Sequence, residues 1–193
     1  MDVFLAYIKT NWLELAGLIT GVICVWYNTR QNVWGFFWGI ISVVIYAVIF
    51  WEARLYGDMG LQIVFAILSV YGLYQWLYGG EGHTELQVRT LPRNLIGWLV
   101  LITLSGTAFL NWLLSRFTDA SLPLVDSFTT TISLIAQWML GRKFLENWWL
   151  WLFVDGIYVF VYAYKSLYWT VLLYAIYLAL CLVGYKDWKK DMR

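Results

Sequence analysis

The chain has 193 residues, 62% of them hydrophobic and only 13% charged, and its mean hydropathy is +0.66. A soluble domain carries about 25% charged residues, so this composition excludes an ordinary water-soluble domain and describes a polytopic membrane protein with little soluble mass. The net charge of +1 leaves no basic face for nucleic acid.

A membrane-spanning helix needs about 20 mainly apolar residues. Seven stretches meet that need: 12–28, 33–51, 59–78, 94–115, 124–141, 147–164 and 168–185. Trp, Tyr and Phe recur at their ends, where aromatic belts lie. No charged segment followed by a small-residue cleavage site opens the chain, so no cleaved signal peptide is expected. Cys24 and Cys181 fall inside apolar runs and read as small core hydrophobes.

Residues at i, i+4, i+8, i+11 and i+15 share a helix face. In the first span that face holds Glu14, Gly17, Gly21 and Asn28. Gly17-x-x-x-Gly21 reads as a close helix contact. In the second span the face holds Trp34, Trp38, Ser42 and Ile45, with Tyr46 beside them, and in the third Gln62, Ser69, Gly72 and Trp76. Trp34 reads as an interfacial anchor. The polar segment 79–93 follows, with a Gly79-Gly80-Glu81-Gly82 turn and Pro92 just before the fourth span.

The fifth span aligns Asp126, Thr130, Ser133, Gln137 and Gly141. Asp126 reads as a helix cap before Ser127, and Thr130 and Ser133 as groups that bond their own backbone. The sixth span aligns Asn147, Trp151, Asp155, Tyr158 and Tyr162. A carboxylate at the depth of Asp155 costs roughly 2.5–3.5 kcal/mol on insertion scales, which marks it for a substrate, an ion, a proton path or a partner such as a tyrosine hydroxyl. Aromatic faces beside an acid suit a small, flat, cationic solute.

The halves echo each other. Trp26-x-x-x-Arg30 matches Trp138-x-x-x-Arg142, Leu55-Tyr56 matches Leu167-Tyr168, and Gly72-x-x-x-Trp76 matches Gly184-x-x-x-Trp188, each at an offset of 112. Asn32-x-Trp34 and Asn147-x-Trp149 match at 115, which implies a three-residue gap. The expected architecture is all-α, with seven transmembrane helices as two parallel three-helix bundles joined by a linker helix. Its parts are 1–78, then 79–123 as cytoplasmic linker plus fourth helix, then 124–193. Parallel repeats place a substrate site between bundles near the midplane.

Lys9, Arg54, Arg116 and Lys165 fall on one side, and nine Lys and Arg on the other. The positive-inside rule puts the nine in the cytoplasm, with the N-terminus outside and the C-terminus inside.

An enzyme is not expected. The sole histidine, His83, lies in the polar linker, and neither His-Glu-x-x-His nor Gly-x-Ser-x-Gly occurs. The short loops leave little surface for a partner protein, although a membrane homo-oligomer fits. Ligand binding without flux would mark a receptor instead.

Leu55-Tyr56-Gly57-Asp58-Met59-Gly60-Leu61-Gln62 with Tyr71-Gly72-x-Tyr74-x-Trp76 resembles the Pnu family of bacterial vitamin transporters. So do Asp126-Ser127-Phe128-Thr129-Thr130, the run from Arg142-Lys143 through Glu146-Asn147-Trp148-x-x-Trp151-x-x-x-Asp155, and Leu167-Tyr168-x-Thr170-x-Leu172-x-Tyr174-Ala175. The resemblance spans nearly the whole chain. It implies a full-length sweet-type fold in the bacterial inner membrane and facilitated uptake of a vitamin, with trapping by a cytoplasmic kinase in place of an ion gradient. Nicotinamide riboside is the leading substrate, thiamine the main alternative and riboflavin a further one. A proton-coupled version would give Asp155 a titrating role. By the resemblance, Gln62, Asn147, Trp148 and Trp151 match the substrate-contacting motif. Asp155, Tyr158, Trp38, Ser133, Gln137 and Tyr174 complete the expected site, with no cofactor or metal and with membrane lipid as surroundings.

Overall fold

The computed structural model describes residues 12–52, 56–118, 122–164 and 168–192. Lys9, Arg54, Leu55, Lys165 and Leu167 lie outside them, as do the side chains of Glu14, Tyr56, Tyr162 and Tyr168. Seven α-helices run through the described residues: α1 (Trp12–Thr29), α2 (Trp34–Glu52), α3 (Tyr56–Tyr78), α4 (Arg93–Phe117), α5 (Pro123–Gly141), α6 (Asn147–Tyr164) and α7 (Tyr168–Asp191). A short 3-10 turn occupies Glu81–His83, and no strand is built among the described residues beyond one isolated bridge, Arg89 to Phe144. Helices follow from the solvent: in hydrocarbon each backbone N–H and C=O needs an internal partner. Met59–Tyr78, Arg93–Phe117 and Val171–Asp191 are long and apolar enough to cross a membrane, and Leu15–Thr29, Trp34–Ile49 and Asn147–Val161 are shorter apolar helices.

The helix ends have local causes. Asn32 Oδ1 accepts from the Trp34 N–H (3.0 Å) and opens α2. Pro92, at φ −60° and ψ 134°, ends the linker and precedes α4. Pro123 starts α5, where a missing N–H costs nothing. The cap there is Leu122 and Asp126 lies within the first turn, so Asp126 is not the capping residue expected from sequence. Its charge instead complements the helix dipole. The glycine run turns as expected, with Gly82 at φ 67° and the Gly80 N–H on the Thr84 carbonyl (2.9 Å).

The chain divides into two units, Met1–Leu86 and Gln87–Arg193. In the first, α2 packs against both α1 and α3. Gly17 lets α1 approach α2 closely: a Cβ at Gly17 would lie 2.9 Å from the Tyr46 ring, and Ser42 Oγ donates to the Gly17 carbonyl (3.1 Å). The expectation of a packing glycine is met. Trp76 of α3 is 1% exposed and meets Phe36 of α2 edge to face, centroids 4.8 Å apart.

In the second unit α6 packs against both α5 and α7, and α4 packs on α5. Ile135, Met139 and Phe144 form a buried cluster, with Leu91, Leu95, Leu99, Trp138 and Leu150 against it. Trp148 of α6 meets Trp188 of α7 edge to face, centroids 5.4 Å apart.

Candidate functional site

The internal geometry of the two units repeats at one uniform offset. After α1 the Gln31 N–H bonds the Asn28 carbonyl and the Asn32 N–H bonds Tyr27. After α5 the Lys143 N–H bonds Leu140 and the Phe144 N–H bonds Met139. Gln31 at φ 52° and Lys143 at φ 50° occupy the left-handed region that this helix ending demands. The next bonds continue the match, Gly35 to Asn32 and Asn147 to Phe144. Every pair lies 112 apart, and so do Phe36–Trp76 and Trp148–Trp188. The three-residue gap expected from the Asn-x-Trp motifs is therefore absent. Asn32 is an exposed cap outside α2, whereas Asn147 sits inside the first turn of α6 and is 0% exposed. The true counterpart of Asn147 is Gly35.

This register shows where the two units differ. Gly17, Gly35, Phe36, Val43 and Ser69 of the first unit stand where the second carries Thr129, Asn147, Trp148, Asp155 and Cys181. The frame is shared, but the buried polar groups differ: the first unit has Thr20, Asn28 and Ser42 where the second has Ile132, Leu140 and Val154, and the second has the amide and the acid of Asn147 and Asp155.

There, Asn147 Nδ2 donates to the Phe144 carbonyl (2.7 Å). Its Oδ1 is buried and has no hydrogen-bond partner among the described residues, and the same holds for Trp148 Nε1. Most buried polar atoms are paired, so two neighbouring unpaired ones, a donor and an acceptor, are a recognisable signal for a ligand. The Trp148 ring is held by Trp188 and by Gly184, where any Cβ would collide with it. Asp155, two turns along α6, is 5% exposed, with Cys181 Sγ 3.6 Å from its Oδ2. A thiol thus reaches the acid, while Tyr158 Oη donates to Thr129 Oγ1 (3.2 Å). Cys181 is accordingly more than a small core hydrophobe.

Tyr158 and Tyr174 stack at 4.9 Å, so two expected site residues meet. Ser133 is buried, and Gln137 and Trp151 are half-buried. Trp38 and Gln62 are half-buried in the first unit, Trp38 edge-on to Phe37 at 6.0 Å. Thr129, Cys181 and Trp188 join the site only in the structure; from sequence they read as part of a family motif, a core residue and a repeat position. Thr129 was signalled by its place opposite Gly17 in the repeat, while Cys181 carried no local signal. Ser127, Thr129 and Thr131 bond carbonyls of their own helix, the pattern expected for Thr130 and Ser133.

Apolar helices enclosing buried polar side chains are those of an integral membrane protein. A model of the nicotinamide mononucleotide transporter family matches residues 11–190, and the chain belongs to that family. It is therefore a transporter and not an enzyme. It is 27% identical to the nicotinamide riboside transporter PnuC of Escherichia coli over 95% of this chain and 87% of that protein. It is 26% identical to the riboflavin/roseoflavin transporter RibM of Streptomyces davaonensis, over 92% of this chain and 84% of that one. A crystal structure of the vitamin B3 transporter PnuC superposes with a TM-score of 0.76 at 25% identity, covering 98% of this chain and 85% of that one.

Proposed function

We propose that the chain carries a B-type vitamin into the bacterial cell across the inner membrane, and that nicotinamide riboside is its substrate. The observation that carries this reading is the buried Asn147 Oδ1 and Trp148 Nε1, both without a hydrogen-bond partner among the described residues, in a member of this family, with the acid Asp155 along the same helix. An amide oxygen can accept from a hydroxyl or an amide of the solute, an indole N–H can donate, and a carboxylate can offset a cationic ring. Gln62, Trp151, Tyr158, Trp38, Ser133, Gln137 and Tyr174 are proposed as further substrate contacts.

Uptake is facilitative: the solute moves down its gradient and a cytoplasmic kinase traps it. The seven helices form two parallel three-helix bundles with α4 as linker, and the repeated geometry of the units supports this arrangement. The N-terminus is outside and the C-terminus inside, on the distribution of Lys and Arg. Riboflavin is the second reading, favoured by the similarity to RibM. Thiamine rests on the sequence resemblance.

The test is uptake of labelled nicotinamide riboside, riboflavin and thiamine into proteoliposomes without an ion gradient. Saturable flux of nicotinamide riboside supports the reading. No flux and no binding of any of the three sinks it.

A further inference from the structure

The segment just before α4 does more than connect helices. Residues 87–91 run beside the turn that joins α5 to α6. The Arg89 N–H donates to the Lys143 carbonyl (3.0 Å), and the Leu145 N–H returns a bond to the Arg89 carbonyl (2.9 Å), which makes a parallel bridge of Arg89 with Phe144. Side chains lock it. Arg89 Nε donates to the Arg142 carbonyl (3.3 Å), and its guanidinium lies over the Phe144 ring, 4.8 Å from the centroid. Glu146 Oε2 accepts from the Leu91 N–H (2.8 Å), and the Leu91 side chain packs into the cluster of Ile135, Met139 and Phe144.

Glu146 stands immediately before α6, and its carbonyl accepts from the Trp149 and Leu150 N–H groups. A carboxylate there complements the helix dipole. This one reaches across to the strap. The next two residues are Asn147 and Trp148. The Asn147 amide is held by the carbonyl of Phe144, the same residue that Arg89 covers. The strap thus grips the turn residues 142–146, which lead directly into Asn147 and Trp148.

We infer that Arg89 and Glu146 are positioning residues: through the strap they set the start of α6 so that Asn147 and Trp148 meet the substrate. This inference rests on the proposed carrier function.

The experiment compares Glu146→Ala, Glu146→Gln and Arg89→Lys with the wild type in proteoliposome uptake of nicotinamide riboside. A hydrogen bond to a charged group sets the scale, so Glu146→Ala should raise the apparent KM about 10-fold with the maximal rate held within about twofold. Glu146→Gln keeps an acceptor for the Leu91 N–H and should stay within about threefold of wild type. Arg89→Lys leaves α6 untouched, serves if Glu146→Ala does not fold, and should raise KM about threefold. Wild-type KM in Glu146→Ala, or in Arg89→Lys where it stands in, overturns the inference. So does a loss of rate and melting temperature together that Gln does not rescue. A wild type that moves none of the three vitamins sinks the function instead. Hydrogen exchange of the amides of residues 147–150 then decides on the strap: faster exchange in Glu146→Ala supports it, and unchanged exchange overturns it.

Discussion

Asp155 of α6 and Cys181 of α7 meet inside the second unit, carboxylate Oδ2 to thiol Sγ at 3.6 Å. The pair joins the costliest side chain of the spans to a residue that composition alone would file with the aliphatics. A thiol is a weak donor, so it shields the acid from hydrocarbon without competing strongly for it.

Asp155→Asn keeps the shape and removes the charge. If the acid offsets a cationic ring, affinity for nicotinamide riboside should fall about 10-fold or more, while neutral riboflavin is affected far less. Titration of purified protein with each vitamin measures this. Equal losses for both would show that the charge plays no part in recognition.

Cys181→Ser and Cys181→Ala separate donation from packing. Serine retains a donor for Asp155, whereas alanine strands a buried carboxylate. The alanine variant should lose about 1–3 kcal/mol of stability, and the serine variant clearly less. Thermal unfolding in detergent reports the difference, and identical losses would deny the pair any energetic role.

Trp148→Phe copies what the first unit already has at Phe36. The edge-to-face packing on Trp188 should survive, and the smaller ring should cost about 1–2 kcal/mol of stability, below the about 3–5 kcal/mol of a Trp→Ala change. With Nε1 gone, affinity for the vitamin should drop about 10-fold. Retained affinity would remove the indole N–H from the site.

Gly184→Ala puts a methyl group into the Trp148 ring. Overpacking of this kind costs about 1–3 kcal/mol, so the melting temperature should fall. Pairing it with Trp148→Ala should relieve the clash, and a double mutant no better than the sum of the singles would place the ring elsewhere.

Much of the fold was legible because hydropathy works at the scale of whole helices. All seven expected spans correspond to helices among the described residues, with ends shifted by a few positions. The repeat was legible too, since Trp26, Gly72 and Trp76 have counterparts at a constant offset. Asn32 misled because Asn serves two unrelated purposes: outside a helix it caps, and inside the first turn of α6 it is buried. Identity of residue type could not tell them apart. Backbone hydrogen bonds could, and they moved the counterpart of Asn147 to Gly35.

The sequence by itself determined a membrane-embedded, seven-helix chain with an internal echo and a polar face on α6, because burial in lipid constrains composition and the helical period constrains spacing. Only the tertiary structure decided which groups meet across helices. Cys181 lies 26 residues beyond Asp155, Thr129 lies 29 before Tyr158, and Leu91 lies 55 before Glu146. Such partners are brought together by the packing of one helix or strap on another, and no periodicity within a single element carries that information.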